Sequence, residues 1–84
     1  MKYSIVWQSR AEQDLAALWL SASDRSEINS ACNRIEQLLQ NRPATVGEWL
    51  YGTTRVLIVV PLAVAFDVIE DDKVVRVLTI WREE

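Results

Sequence analysis

The chain contains no histidine, one cysteine (Cys32), two glycines, two prolines and, as its only lysines, Lys2 and Lys73, among 84 residues. Without histidine the commonest general base at neutral pH and the commonest metal ligand are gone, so histidine-dependent triads and zinc sites are excluded. A lone cysteine cannot close an internal disulfide, and no basic, apolar and small-residue succession opens the chain as a secretory signal does. Both features predict a cytoplasmic protein. Two isolated glycines, Gly47 and Gly52, rule out a glycine-rich phosphate loop. The longest strongly apolar stretch, residues 56–66, is broken by Pro61 and falls well short of the ~20 residues a membrane helix requires, so no membrane span is expected. Positive charge is scarce as well: the formal net charge is −3, which opposes a general grip on nucleic acid through its phosphates.

What is present describes a globular protein: half the residues are apolar and a quarter are charged. A single domain over residues 1–84 is expected, and a chain this short buries only about two-thirds of its unfolded surface, so stability is modest and a partner is plausible on physical grounds. The acidic excess concentrates at Glu70-Asp71-Asp72 and Glu83-Glu84, which read as a solvated turn and a tail. Three adjacent side chains on a turn point apart, so this cluster predicts no cation site.

Residues 3–7 alternate, with Tyr3, Ile5 and Trp7 on one side, as in a strand with one buried face. The period then changes. "SRAE" at 9–12 matches a capping box with Ser9 as cap, and Ala11, Leu15, Leu18, Trp19 and Ala22 form a helical stripe over about 10–21. Asp24 is the expected cap of a second helix, in which Ile28, Ala31, Cys32, Ile35, Leu38 and Leu39 recur at helical spacing up to about Asn41, where Pro43 prevents continuation. Cys32 on that stripe reads as core. A helical hairpin of this kind must cover something apolar. The runs 55–60, 62–69 and 73–81, separated by Pro61 and "EDDK", supply an antiparallel meander. "GEWLYGTT", residues 47–54, is a loop or a short strand leading in.

With histidine and glycine loops absent, the remaining candidates are arginines on strands, together with Glu48, Tyr51 and the tryptophans. Strict alternation puts Arg76 and Arg82 on one face of the sheet, opposite the helices, where guanidinium groups can bind a phosphate or a partner's carboxylates bidentately. The plainer alternative is that Arg76 pairs with Asp67 and keeps the open face soluble.

"SRAEQDLAALW" at 9–19, the long second helix ending at "NRP", then "RVL" at 55–57, "PLAVAFDV" at 61–68 and "VVRVLTIWR" at 74–82, in that order, resemble the RelE/ParE superfamily of bacterial toxins. The resemblance spans almost the whole chain. It implies an α+β fold of order β-α-α-β-β-β, a helical hairpin packed on an antiparallel sheet, and a role as toxin or toxin-like component of a type II toxin–antitoxin (plasmid stabilisation) system. It also implies a cognate antitoxin as partner.

Members of that superfamily either cleave messenger RNA on the ribosome or poison DNA gyrase. The RNA-cleaving members use no metal or cofactor; lysines, arginines and a tyrosine or histidine on the concave sheet face stabilise charge developing on the phosphate, which is the physical requirement of that chemistry. In this chain the strand pattern aromatic-Arg-aliphatic-x-Tyr reads Leu62-Ala63-Val64-Ala65-Phe66, so Ala63 and Phe66 replace the functional pair. The closing arginine survives as Arg82, preceded by Trp81. A lysine-rich approach is absent and no C-terminal helix with a catalytic side chain is predicted.

The expectation is therefore a ParE-like toxin that binds its target, DNA gyrase, through a surface drawn from Arg55, Arg76, Arg82, Trp49, Tyr51 and Trp81, with Trp19 open to a partner. One alternative is a metal-independent endoribonuclease acting on ribosome-bound mRNA, using Arg55 and Arg82 for the phosphate and Glu48 or Tyr51 for proton transfer. Another is a non-toxic assembly module, a homodimer among its forms.

Overall fold

The long apolar stripe of residues 28–39 produces what its spacing predicts. In the computed structural model, which describes residues 2–83, Ile28, Ala31, Ile35 and Leu39 are buried along one side of helix α2 (Arg25–Asn41). The helix stops one residue before Arg42, whose amide bonds the Leu38 carbonyl, and Pro43 follows. Helix α1 (Ser9–Ser21) precedes it across residues 22–24. Ser9 is not the cap that the sequence predicts: Gln8 holds that position, Ser9 is the first helical residue, and no side chain closes the end. The Gln8 amide bonds the carbonyl of Val77, which fixes where the chain turns into the helix.

Five strands make one sheet: β1 (Ser4–Trp7), β2 (Glu48–Tyr51), β3 (Thr54–Val59), β4 (Leu62–Ile69) and β5 (Val74–Arg82), in the order β1-β5-β4-β3-β2. The segment left between loop and strand in the sequence is thus the edge strand β2. It folds back on β3 through Gly52 and Thr53, and Gly52 takes the positive φ of +52° that this tight return needs. The β3–β4 connection carries a cis bond at Val60–Pro61. All pairings are antiparallel except the outermost, where β1 lies parallel to β5 with Ile5 beside Val75 and Trp7 beside Val77. The core joins Leu57, Leu62, Val64, Phe66, Val75, Val77 and Ile80 of the sheet to Ala11 and the α2 stripe, with Tyr3, Ile5 and Trp7 packed against it.

One irregularity changes the fate of the arginines. Ala65 opposes Thr79, whereas Phe66 opposes Val77, so Leu78 is an extra residue on β5 and forms a bulge. Beyond it the alternation reverses: Ile80 and Arg82 oppose Val64 and Leu62 on the helix side, while Arg76 opposes Asp67 on the other. The expectation that Arg76 and Arg82 share a face is corrected accordingly. A one-residue slip sends every later side chain to the opposite side.

Candidate functional site

The candidate residues fall into separate groups. At the β2–β3 edge stand Glu48, Trp49, Tyr51 and Arg55. Glu48 opposes Val56 and Trp49 opposes Arg55, with an irregularity before Tyr51 meets Thr54. Trp49 and Tyr51 are each 64% exposed, and the Trp49 indole donates to the Gly52 carbonyl at 2.9 Å. Arg55 opposes Phe66 and so lies on the helix side of the sheet. It is half-buried, and its guanidinium donates to the carbonyls of Val46 and Gly47 at 3.0 and 3.1 Å, pinning the loop that leads into β2.

Arg82 and Trp81 close β5 at the other end of the sheet. Arg82 holds Asp24 at the start of α2 with two hydrogen bonds, and this pull holds the Asp24 carboxyl below its ordinary range. Beside the pair is a cleft lined by Ser26, Glu27 and Ser30 of α2 and by Val59, Val60 and Pro61 of the β3–β4 turn. Trp81 opposes Ala63 on the open side and donates to Glu83 at 3.0 Å. The β4 partners of Arg55 and Arg82 are Phe66 and Leu62, on opposite flanks of that strand. With ~3.4 Å per residue and ~4.8 Å between strands, the two arginine Cα atoms are roughly 17 Å apart. The structure therefore does not bring them together.

Arg76 is exposed in mid-β5 and, among the described residues, makes no ion pair. Asp67, which it opposes, instead accepts from the hydroxyls of Thr54 at 2.6 Å and Thr53 at 3.3 Å. The centre of the open face is occupied by Ala63 and Ala65, both buried between neighbouring strands. Trp19 projects from α1, 38% exposed, with the Arg25 guanidinium 4.5 Å from its ring centroid.

Tyr3 and Cys32 are shifted in pKa as well as Asp24. A hydrogen bond to Glu70 raises Tyr3, and burial, aided by the charge of Glu36, raises Cys32. Among the described residues no cluster of acidic or cysteine side chains could hold a metal ion, and no helix is long and apolar enough to cross a membrane. Sequence reasoning missed Arg25 as an organiser of the helix junction, where it donates to the Trp19 and Leu20 carbonyls at 2.9 and 3.1 Å. The available signal was a basic residue directly after a helix end, where free carbonyls need donors.

A two-helix hairpin against a five-stranded sheet of this order is the fold of the RelE and ParE toxins. A chain of the RelBE2 toxin–antitoxin complex from Mycobacterium tuberculosis superimposes with a TM-score of 0.82 at 15% identity, over 99% of this chain and 93% of that one. A chain of the chromosomal ParDE system from P. aeruginosa gives 0.72 at 22% identity, over 98% and 97%, and a mutant of the E. coli RelE toxin in the free state gives 0.74 at 17%, over 98% and 84%. No family model and no curated sequence matches the chain. What is shared at these identities is the backbone architecture.

Proposed function

We propose that this chain, as one domain over residues 1–84, is the toxin or toxin-like component of a bacterial type II toxin–antitoxin pair. It acts in the cytoplasm by binding a protein target, DNA gyrase, and a cognate antitoxin neutralises it. The likeness to RelE and ParE toxins supports the class. The choice of binding over RNA cleavage rests on the arginines. Cleavage of a phosphodiester needs donors converging on one developing charge. Arg55 is committed to the Val46 and Gly47 carbonyls and Arg82 to Asp24, at opposite ends of the sheet and on its helix side, and the centre of the open face carries alanines. Exposed Trp49, Tyr51 and Trp19 are instead the kind of aromatic anchors that dominate protein interfaces.

The test is induced expression in a bacterial host without antitoxin, with growth, primer extension on a translated message and gyrase supercoiling by the purified protein followed together. Growth arrest with intact message and reduced supercoiling is expected. New cuts within codons would transfer the function to the endoribonuclease reading, and unimpaired growth to an assembly module.

A further inference from the structure

At the end of α2 far from the Asp24–Arg82 pair, a polar cleft of about 420 Å³ opens between the helix terminus and the start of the chain. It takes Lys2, Arg34 and Arg42, three of the chain's nine basic side chains, and no acidic one. None of the three makes an ion pair or a side-chain hydrogen bond among the described residues. Arg34 has no carboxylate at helical spacing, since Ser30, Ala31, Gln37 and Leu38 stand three and four residues from it. Glu36, close by in sequence, faces the groove that holds Cys32 and Trp19 instead. The backbone beneath the cations is fixed: the Tyr3 amide donates to the Gln40 carbonyl at 2.8 Å, and the amide and hydroxyl of Thr45 both reach the Arg42 carbonyl at 3.2 Å. Three unpaired positive charges gathered in one place repel one another, and an anion among them relieves that repulsion.

A helix C-terminus ordinarily disfavours an anion through its free carbonyls. Here the Arg42 amide takes the Leu38 carbonyl, the Tyr3 amide that of Gln40 and the Asn41 side chain that of Gln37, at 3.0, 2.8 and 2.8 Å. The side-chain amides of Gln37 and Gln40 add uncharged donors to the walls.

We propose that this cleft binds a diphosphate group, free or at the end of a nucleotide, with Arg34 and Arg42 forking its oxygens and Lys2 supplying a third charge. A diphosphate carries about three negative charges near neutral pH, against about two for a single phosphate monoester, and so matches the three cations. Guanidinium forks suit paired phosphate oxygens. No aromatic side chain lines the cleft, so a base has no surface to stack on and the phosphates alone are read. The same lack, with a compact cleft in place of a basic stripe on an acidic chain, sets the site apart from a grip on a nucleic-acid strand.

The experiment titrates the purified, isotope-labelled full chain in magnesium-free buffer and follows its backbone amides by NMR. Pyrophosphate and ADP are expected to move the amides of Lys2 and of residues 34–42, each with a Kd at least about tenfold below those of AMP and orthophosphate. R34Q/R42Q, at two exposed positions, is expected to lose about tenfold or more in affinity with an unchanged far-UV spectrum. R10Q, which removes an exposed charge outside the cleft, should stay within about twofold of the parent, because solvent and salt screen it. A preference between pyrophosphate and ADP tells a free diphosphate from a nucleotide as the source, and the site stands with both. Equal affinity for orthophosphate and pyrophosphate, or an equal loss in R10Q and R34Q/R42Q, overturns the proposal. Single-stranded RNA that moves the same amides at lower concentration than pyrophosphate overturns it too, since the cleft would then serve a nucleic-acid backbone.

Discussion

Asp24 occupies the N-cap of α2, yet its carboxylate turns away from the helix and takes the guanidinium of Arg82, Nη1 to Oδ1 at 3.1 Å and Nη2 to Oδ2 at 2.5 Å. The grip ties the junction of the two helices to the last residue of β5. Both side chains remain partly in solvent, 34% for Arg82 and 26% for Asp24, so the pair orients these elements more than it stabilises them.

The pair has a pH signature. The Arg82 hydrogen bonds hold Asp24 below its ordinary 3.8, so the unfolded chain binds this proton more readily than the folded one. The stabilising contribution is complete above the unfolded value and disappears as pH falls through the folded value. Urea unfolding followed down the acid range should therefore show a shallower loss of stability in Asp24→Asn. An unchanged acid slope would show that the pair is not formed in solution.

Gly47 is required by space and by backbone geometry together. Its φ is +73°, and a Cβ there would sit 2.3 Å from the Val56 carbonyl oxygen. Gly47→Ala should cost about 3 kcal/mol or more, because strained backbone and a clash with β3 add, and lower Tm by at least about 12 °C for a chain of this size. Gly52, at φ +52° with open space around it, should lose only about 1–2 kcal/mol on the same change. Circular dichroism melts of the two variants test the contrast.

Arg55→Ala should weaken the fold by about 1–3 kcal/mol, since it removes two charged donors from the Val46 and Gly47 carbonyls. Lysine should recover little, having no planar fork. Arg76→Ala, at an exposed position without an ion-pair partner among the described residues, should stay within about 0.5 kcal/mol of the parent. Equal stability of the two alanine variants in denaturant titration would refute the structural role given to Arg55.

In the core, Ile35 is fully buried. Ile35→Val should cost about 1 kcal/mol and Ile35→Ala about 2–5 kcal/mol, the second leaving a cavity that the neighbouring helix and sheet cannot close. Val60→Ala, at a position 67% exposed in the β3–β4 turn, is the control and should be nearly silent in the same urea titration.

Much of this architecture was legible because local pattern and tertiary burial agree. The α2 stripe, the alternation of Tyr3, Ile5 and Trp7, and the break at Pro43 all predict what is observed. The placement of arginines was not legible, because counting by twos along β5 assumes a regular strand. A signal was there: the apolar phase jumps from Val75 and Val77 to Leu78 and Ile80, the mark of one inserted residue. Arg55 was assigned without the β3–β4 register, which only the pairing with Phe66 supplies. Asp24 and Arg82 are 58 residues apart, and nothing local announces their contact. The parallel seating of β1 beside β5 is equally non-local.

That seating bears on how the molecule is made. β5 is flanked by β1 and β4 and contacts α1, so residues 74–82 are the common neighbour of three elements synthesised before them. A ribosome delivers these residues after every element they touch. Until they emerge, β1 has no strand to pair with and β4 lacks one of its two neighbours, so the nascent sheet should remain open to proteases until residues 74–82 join it. A message cut short before codon 74 would yield a chain that cannot complete the sheet at all.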